Sequence, residues 1–353
     1  VRRQRQMCIR DSIGTTAIDE IVAALEEILA GQKQNHYEDI NAAPVTETNR
    51  VVTTGGHFAY LKIAEGCDKH CTYCIIPKVR GNYRSVPKES LLKEATELAD
   101  KGVRELILVA QETTLYGMDL YGKKELPRLL HELAQIPGIY WIRILYCYPE
   151  EITDELIQVM KEEPKICHYL DLPIQHANDT ILKRMGRRTS KQELIDIVQK
   201  LRKEIPDICL RTTLITGFPG ETQEQHEEVM EFIDTLEFDR LGAFTYSPEE
   251  DTPAATFEDQ IDEEVKEDRQ ADIMELQQEI AFDKAEDMIG REVLVMIEGK
   301  VADENAYVGR TYRDAPNVDG LIFINTDVEL ISGDFAKVKV TGALDYDLIG
   351  ELM

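Results

Sequence analysis

The chain has 353 residues, of which 43% are hydrophobic and 30% charged, and its formal net charge is −27. That length holds about two or three domains with a sizeable core, and no run of 18 apolar residues marks a membrane-spanning helix. So acidic a chain repels nucleic-acid phosphate unless basic residues are concentrated locally, and it favours a basic partner.

Residues 1–12, VRRQRQMCIRDS, are basic and lack a hydrophobic period. RRQRQMCIRD resembles the translation of a transposase sequencing adapter, so this stretch, with Cys8, is expected to be foreign to the fold. Residues 14–31 read as an amphipathic helix, with Ile18, Ile21, Val22, Leu25 and Ile28 on one face and Gly31 as its stop. Residues 32–50 are polar and read as a linker.

A regular alternation follows. Strand-like runs occur at 58–64, 105–110, 141–146, 168–173, 209–216 and 240–246, with helical runs such as 90–102, 193–205 and 221–237 between them. Such alternation means βαβ units and a parallel sheet, and six units fit an α/β fold of the open, partial β/α-barrel kind. Chemistry then belongs at the C-terminal ends of the strands. Residues 259–287 read as a long amphipathic helix using Val265, Ile273, Leu276 and Ile280. After Gly290 the short alternating runs 292–299, 320–326 and 335–343 predict a small antiparallel β-barrel.

The first strand is followed by Cys67, Cys71 and Cys74. The spacing C-x3-C-x2-C can supply three of the four ligands of a cubane iron–sulfur cluster and leave one iron open. A structural zinc site from these cysteines and His70 is the competing reading, although zinc ligands usually arrive as two separated pairs. Seven cysteines, an odd number irregularly spaced, do not make a disulfide framework, and free thiols suit a reducing cytoplasm.

Further polar groups sit at strand ends. Gln111 and the pair Thr113 and Thr114 follow the second strand, and Gln175, His176 and Asn178 follow the fourth, with Asn178 as a helix cap. Gly217, Gly220 and Glu221 follow the fifth strand; they lack the GK[ST] of a nucleotide-binding P-loop. Arg143 and Arg211 lie inside apolar strands, so each needs a partner: a ligand carboxylate for Arg211, or a neighbouring strand for Arg143. Cys147, Cys167 and Cys209 read as core filling, with Cys147 the one nearest a strand end.

CDKHCTYC after the first of six β/α units resembles the radical S-adenosylmethionine superfamily. HFAYLKIAEGC, CIIPKVRG, LDLPIQHA, TTLITGFPGET and YSPEEDTPA resemble its methylthiotransferase family, and the closing segment resembles that family's TRAM domain. The similarity runs from about residue 13 to 353 and divides the chain into a remnant of an amino-terminal domain with its linker (13–50), a radical SAM domain (51–288) and a TRAM domain (289–353). The resemblance implies a partial (β/α)6 radical-SAM barrel and a 4Fe–4S cluster on Cys67, Cys71 and Cys74. It also implies S-adenosylmethionine contacts at Gln111, Gln175, Arg211, Gly217, Gly220 and Glu221. Reductive cleavage of that cofactor gives methionine and a 5′-deoxyadenosyl radical.

Within the family, the resemblance favours the branch that methylthiolates the β-carbon of an aspartate in protein twelve of the small ribosomal subunit over the branch that modifies a transfer-RNA adenosine. Charge agrees: from Gly290 onward twelve acids stand against six bases, a poor footprint for gripping RNA. Nucleic acid is therefore not the expected substrate, and no membrane is implied. An electron donor such as flavodoxin or ferredoxin is. The family also carries a second 4Fe–4S cluster on three amino-terminal cysteines that have no counterpart in this sequence. The expectation is a chain that binds one cluster and cleaves S-adenosylmethionine without completing methylthiolation.

Overall fold

Six strands build one parallel sheet in sequential order in the computed structural model, which describes residues 12–32, 35–44, 46, 50–302 and 304–353. They are β1 (Phe58–Lys62), β2 (Glu105–Val109), β3 (Trp141–Ile144), β4 (Ile166–Gln175), β5 (Cys209–Thr216) and β6 (Arg240–Thr245). Each pairs in parallel with the next, and β1 and β6 remain as edges, so the barrel is open. The reading of residues 1–12 as an adapter lies outside the described residues except for Ser12.

Strands covered on both faces read as apolar runs, which is why ELILV and WIRI announce β2 and β3. The crossover helices bury one face each. Helix α1 (Ile21–Leu29) precedes the barrel; α2 (Lys88–Asp100), α3 (Leu126–Ala134), α4 (Asp154–Glu162), α5 (Lys191–Glu204) and α6 (Gln223–Leu236) connect its strands. Capping boxes at Ser190/Glu193 and Thr222/Gln225 start α5 and α6. Helix α7 (Glu263–Glu286) buries Ile273 and Ile280 as expected, but Val265 is exposed and its place is taken by the buried Lys266 and Arg269.

The terminal domain is a closed five-stranded barrel of β7 (Glu292–Lys300), β8 (Ala306–Arg310), β9 (Ile322–Asn325), β10 (Phe335–Leu344) and β11 (Asp347–Leu352). Strands β8 and β11 were not legible as alternating runs. Four pairings are antiparallel; β11, returning from a hairpin with β10, closes the ring in parallel against β9.

This small barrel docks on the N-terminal ends of the six strands. Phe58, Trp141, Tyr169 and Cys209 inside the large barrel share one apolar cluster with Met296 and Ala315. At its centre lies Glu105, fully buried, which accepts hydrogen bonds from Arg143 Nε at 2.8 Å and Arg310 Nη2 at 2.7 Å. Arg143 thus bridges a neighbouring strand; it also donates to the Tyr312 carbonyl at 2.6 Å and stacks over Tyr169. Arg310 also pairs with Glu298, which holds His57 Nε2 at 2.8 Å. Burial alone would raise the Glu105 carboxyl, but the two guanidiniums outweigh it and hold it below the usual carboxylate range.

Removing one partner strands a buried charge. Arg310→Met is expected to cost about 3–5 kcal/mol in urea unfolding. Because the folded Glu105 carboxyl is depressed, its contribution is present above the unfolded value of about 4.3 and is lost as pH falls through the folded value. Glu105→Gln should therefore flatten the acid limb of the stability curve; an unchanged limb would assign acid sensitivity to other groups.

Candidate functional site

The loop from Gly66 to Tyr83 leaves the C-terminal end of β1 and returns through a two-residue ladder that pairs Ala64 and Glu65 with Ser85 and Arg84. Its backbone is pinned throughout. Gly66 adopts φ 79°, and a Cβ there would lie 2.1 Å from the Asn82 carbonyl oxygen, so only glycine fits. The Gly66 N–H donates to Gln111 Oε1 at 2.8 Å, and Tyr83 N–H to Asp68 at 3.0 Å. Thr72 is tied twice to the turn between β4 and α5, N–H to the Met185 carbonyl and hydroxyl to that of Arg184, each at 2.9 Å. Lys69 is buried and pairs with Glu150 and Glu151.

Cys67 and Cys74 line a cavity of about 390 Å³ with Gln111, Tyr146 and Tyr148. Cys71 and Cys74 line its neighbour of about 350 Å³ with Asp171, Gln175, Arg211 and Phe244. None of the three is in a disulfide. Burial pushes the Cys67 thiol up to about 11 and the Cys74 thiol upward, and backbone N–H groups of Lys69 and Ile76 aimed at these sulfurs oppose the shift. N–H···S bonds are a means by which a protein tunes a cluster.

Cluster and zinc make different geometric demands. One zinc ion needs all its ligands about 2.0–2.3 Å from a single point. Among the described residues no three His, Cys, Asp or Glu side chains converge in that way, and His70 is exposed. A cubane takes each thiolate on a different iron, so it needs three sulfurs arranged around a shared space. Cys67 and Cys74 line one cavity and Cys71 and Cys74 the adjoining one, and this three-thiol donor set fits the cluster.

Among the other anticipated residues, Gln111, Gln175 and Arg211 line the cavities. Gln111 spends its amide oxygen on Gly66, so it also shapes the cysteine loop. Gly217, Gly220 and Glu221 line neither cavity. They form a turn against α7: Glu221 accepts N–H bonds from Gly217 and Phe218 at 2.7 and 3.1 Å and pairs with Arg269 at 3.3 Å. A Cβ on Gly217 would strike Lys266. Thr113 and Thr114 are buried and spend their hydroxyls on the Leu145 carbonyl and Glu112. His176 is buried with Nδ1 accepting the Asn178 N–H, and burial lowers it to about 3, so it stays neutral. Asn178 caps the next helix through the N–H groups of Thr180 and Ile181. Cys147, Cys167 and Cys209 are buried, and burial raises all three thiols.

Two residues escaped the sequence reading. Arg187 is 7% exposed and lies beside Cys71, with its guanidinium over the Tyr148 ring at 4.3 Å. Its Nη2 donates to the Pro173 carbonyl at 3.0 Å, while Nε and Nη1 have no partner among the described residues. Glu112 is fully buried near Cys67; burial raises its carboxyl to about 7, and its Oε2 has no partner among the described residues. The only hint in the sequence was the neighbourhood of each: the MGRR turn and the QETT strand end.

Family models match twice: the radical SAM superfamily over residues 61–233 and the TRAM domain over 289–353. The ribosomal protein uS12 methylthiotransferase RimO of Lachnoclostridium phytofermentans is 62% identical over 96% of this chain and 77% of its own length. Those of Clostridium botulinum strain Langeland and Desulfitobacterium hafniense are 49% and 50% identical, over 96% and 97% of this chain and 76% and 77% of theirs. Among solved structures, the radical SAM enzyme coproporphyrinogen III oxidase of Escherichia coli aligns with a TM-score of 0.47 at 19% identity, over 67% of this chain and 54% of that one.

The geometry sorts the anticipated residues into those that line the cavities and those that do not. Cys67→Ala, Cys71→Ala and Cys74→Ala should each lose most of the roughly four irons per chain taken up on anaerobic reconstitution. Glu221→Ala should instead keep its iron and lose about 3 kcal/mol of stability, since it leaves Arg269 and two amides unpaired. Full iron in any cysteine variant would remove that residue as a ligand.

Proposed function

The chain belongs to the ribosomal protein uS12 methylthiotransferase RimO family, and from that premise we propose that Cys67, Cys71 and Cys74 hold a 4Fe–4S cluster whose open iron takes S-adenosylmethionine, in an enzyme that methylthiolates an aspartate β-carbon of uS12. It is a transferase of the radical SAM type. The observation that carries the site is the placement of three thiols of one pinned loop around contiguous cavities at the C-terminal ends of parallel strands.

When bound, the cluster supplies the electron that opens the carbon–sulfur bond of the cofactor's sulfonium. The chain's own groups bind and orient. Arg187, beside Cys71 with two unpartnered buried donors, is matched to the cofactor's carboxylate. Gln175 and Arg211 supply polar contacts along the cavity, and Tyr146, Tyr148 and Phe244 exclude water from it. Gly217, Gly220 and Glu221 support that region as a folded turn.

Charge favours a basic protein as substrate. In the terminal barrel Arg310 and Arg313 are spent on Glu105 and Asp239. The bases left are Arg291, Lys300, Lys337 and Lys339, against exposed acids that include Glu292, Glu304, Asp327, Glu329, Asp334, Asp345 and Glu351. That face repels transfer RNA and attracts a ribosomal protein. The proposal extends to a flavodoxin or ferredoxin as electron donor and to a cytoplasmic setting; among the described residues no helix is long and apolar enough to cross a membrane. It divides the described barrels into a radical SAM domain over 51–288 and a TRAM domain over 289–353. Cys147 is buried just beyond the end of β3, and Cys167 and Cys209 are buried in β4 and β5.

Anaerobic reconstitution with iron and sulfide tests the chemistry: dithionite-dependent 5′-deoxyadenosine supports it, and zinc uptake with no cofactor cleavage would falsify it. Substrate choice is read separately as binding of uS12 and of transfer RNA. Salt-sensitive binding of uS12 alone is expected; binding of transfer RNA alone would move the chain to the RNA-modifying reading.

A further inference from the structure

Arg211 faces the cavity from β5 but is not free. Its Nη1 donates to Asp171 Oδ1 at 2.8 Å and lies 3.4 Å from the Thr213 hydroxyl. Its Nε lies 3.5 Å from Asp319 Oδ1. Asp319 comes from the terminal barrel, in the loop between β8 and β9, and its other oxygen accepts the Tyr169 hydroxyl at 2.7 Å and the Ala315 N–H at 2.8 Å. The same loop is held to the floor of the large barrel by Asp314 on Arg240, Arg313 on Asp239 and the Arg313 carbonyl on Cys209.

On the cavity side the chain of contacts continues. Asp171 Oδ2 accepts the Tyr146 N–H at 3.1 Å, and the Asp171 carbonyl accepts the Cys147 N–H at 2.9 Å. Tyr146 has φ 59°, a left-handed backbone that a bulky residue adopts only when its surroundings impose it. The Tyr146 carbonyl is in turn held by Thr113, through its N–H at 3.1 Å and its hydroxyl at 3.2 Å. The result is a half-exposed tyrosine ring lining both cavities next to the cysteines. The contacts from Asp319 to Arg211 to Asp171 to Tyr146 are continuous, and every side chain before Tyr146 is at least four-fifths buried.

We propose that Asp319 is a positioning residue of the reaction cavity: acting through Arg211 and Asp171, the terminal barrel fixes Tyr146 and thereby the wall against which the bound cofactor lies. Arg211 is then the strut of that wall. Its charge is already met by two carboxylates, so it has little left for an anionic ligand, whereas Arg187 has two donors without a partner among the described residues. The terminal barrel is part of the active site as well as a surface for a partner. The cofactor-dependent half of this inference rests on the function proposed above; the structural half does not.

The test uses the full chain. Asp319→Asn is isosteric and can keep the bonds from Tyr169 and Ala315, but it removes the ion pair to Arg211. Amide hydrogen exchange at Tyr146 is expected to rise about tenfold in this variant while the urea midpoint stays near wild type, and the exposed control Glu329→Gln changes neither. A merely structural role would lower the midpoint and speed exchange throughout the terminal barrel with no excess at Tyr146; that result overturns the proposal, as does unchanged exchange. In the cluster-loaded chain, Asp319→Asn and Tyr146→Ala should each weaken S-adenosylmethionine binding about five- to tenfold, and the double variant should be no weaker than the worse single one. Additive losses overturn the coupling. A wild-type chain that binds no S-adenosylmethionine would sink the proposed function, and the exchange measurement would then decide the role of Asp319 alone.

Discussion

A carboxylate with no exposure, Glu105, sits where two domains meet, and most of the architecture can be read as a consequence of satisfying it. Burying an unpaired carboxylate costs several kcal/mol, and breaking a buried pair costs about 3–5 kcal/mol. Glu105 therefore requires both Arg143 from the neighbouring strand and Arg310 from the terminal barrel. Neither domain can satisfy it alone. The lock closes the N-terminal end of an open barrel whose edge strands do not meet. It fills that end with paired charges, stacked rings and the apolar cluster around Trp141 and Met296, leaving the accessible cavities at the opposite end, where the cysteine loop lies.

That opposite end is built from strained backbone. His70, Tyr146 and Gln175 are three non-glycine residues with positive φ, one in the cysteine loop and the others where β3 and β4 run out. Each costs about 1–3 kcal/mol and persists only when neighbours over-determine it. The neighbours are identifiable: Asp171 and Thr113 hold Tyr146, while Gly186 packs against the backbone of His70 and Cys71. The loop that carries the three sulfurs has thus already met its conformational cost, so a cluster bound there, as proposed, would need little reorganisation.

The alternation of strands and helices was legible because both-face burial writes parallel strands as apolar runs; the predicted span of β5 matches the observed one, and the other barrel strands differ by one or two residues at their ends. The cysteines were legible because their spacing is local. What stayed hidden was long-range. Nothing near Glu105 marks it as the partner of an arginine 205 residues later. Arg187 looks like an ordinary helix-end base until the fold buries it beside Cys71. Glu221 looks like a ligand because it follows a strand end, yet α7 brings Arg269 to neutralise it. In the terminal barrel, β8 and β11 are short, glycine-containing strands whose pattern is set by closure of the ring more than by alternation.

Charge is sorted radially, and this bears on what can approach. The arginines that matter most to the fold, Arg143, Arg310, Arg240 and Arg313, are turned inward onto Glu105, Asp314 and Asp239, so they add nothing to the outer field. With Glu298 also on Arg310, four acids balance these four arginines, which leaves the net charge of −27 to be carried by the remaining surface. Arg187 differs: it is buried beside Cys71 and over the Tyr148 ring, and its Nε and Nη1 have no partner among the described residues. The molecule therefore presents an acidic exterior, with an incompletely paired guanidinium stacked on the cavity ring of Tyr148. A basic protein is drawn by the exterior over roughly a Debye length, about 8 Å at physiological salt. A carboxylate that reached Arg187 would be held at short range, where screening is weak. Under the proposed function the acidic exterior recruits the cationic partner and Arg187 takes an anionic cofactor group, so the two do not compete for the same residues.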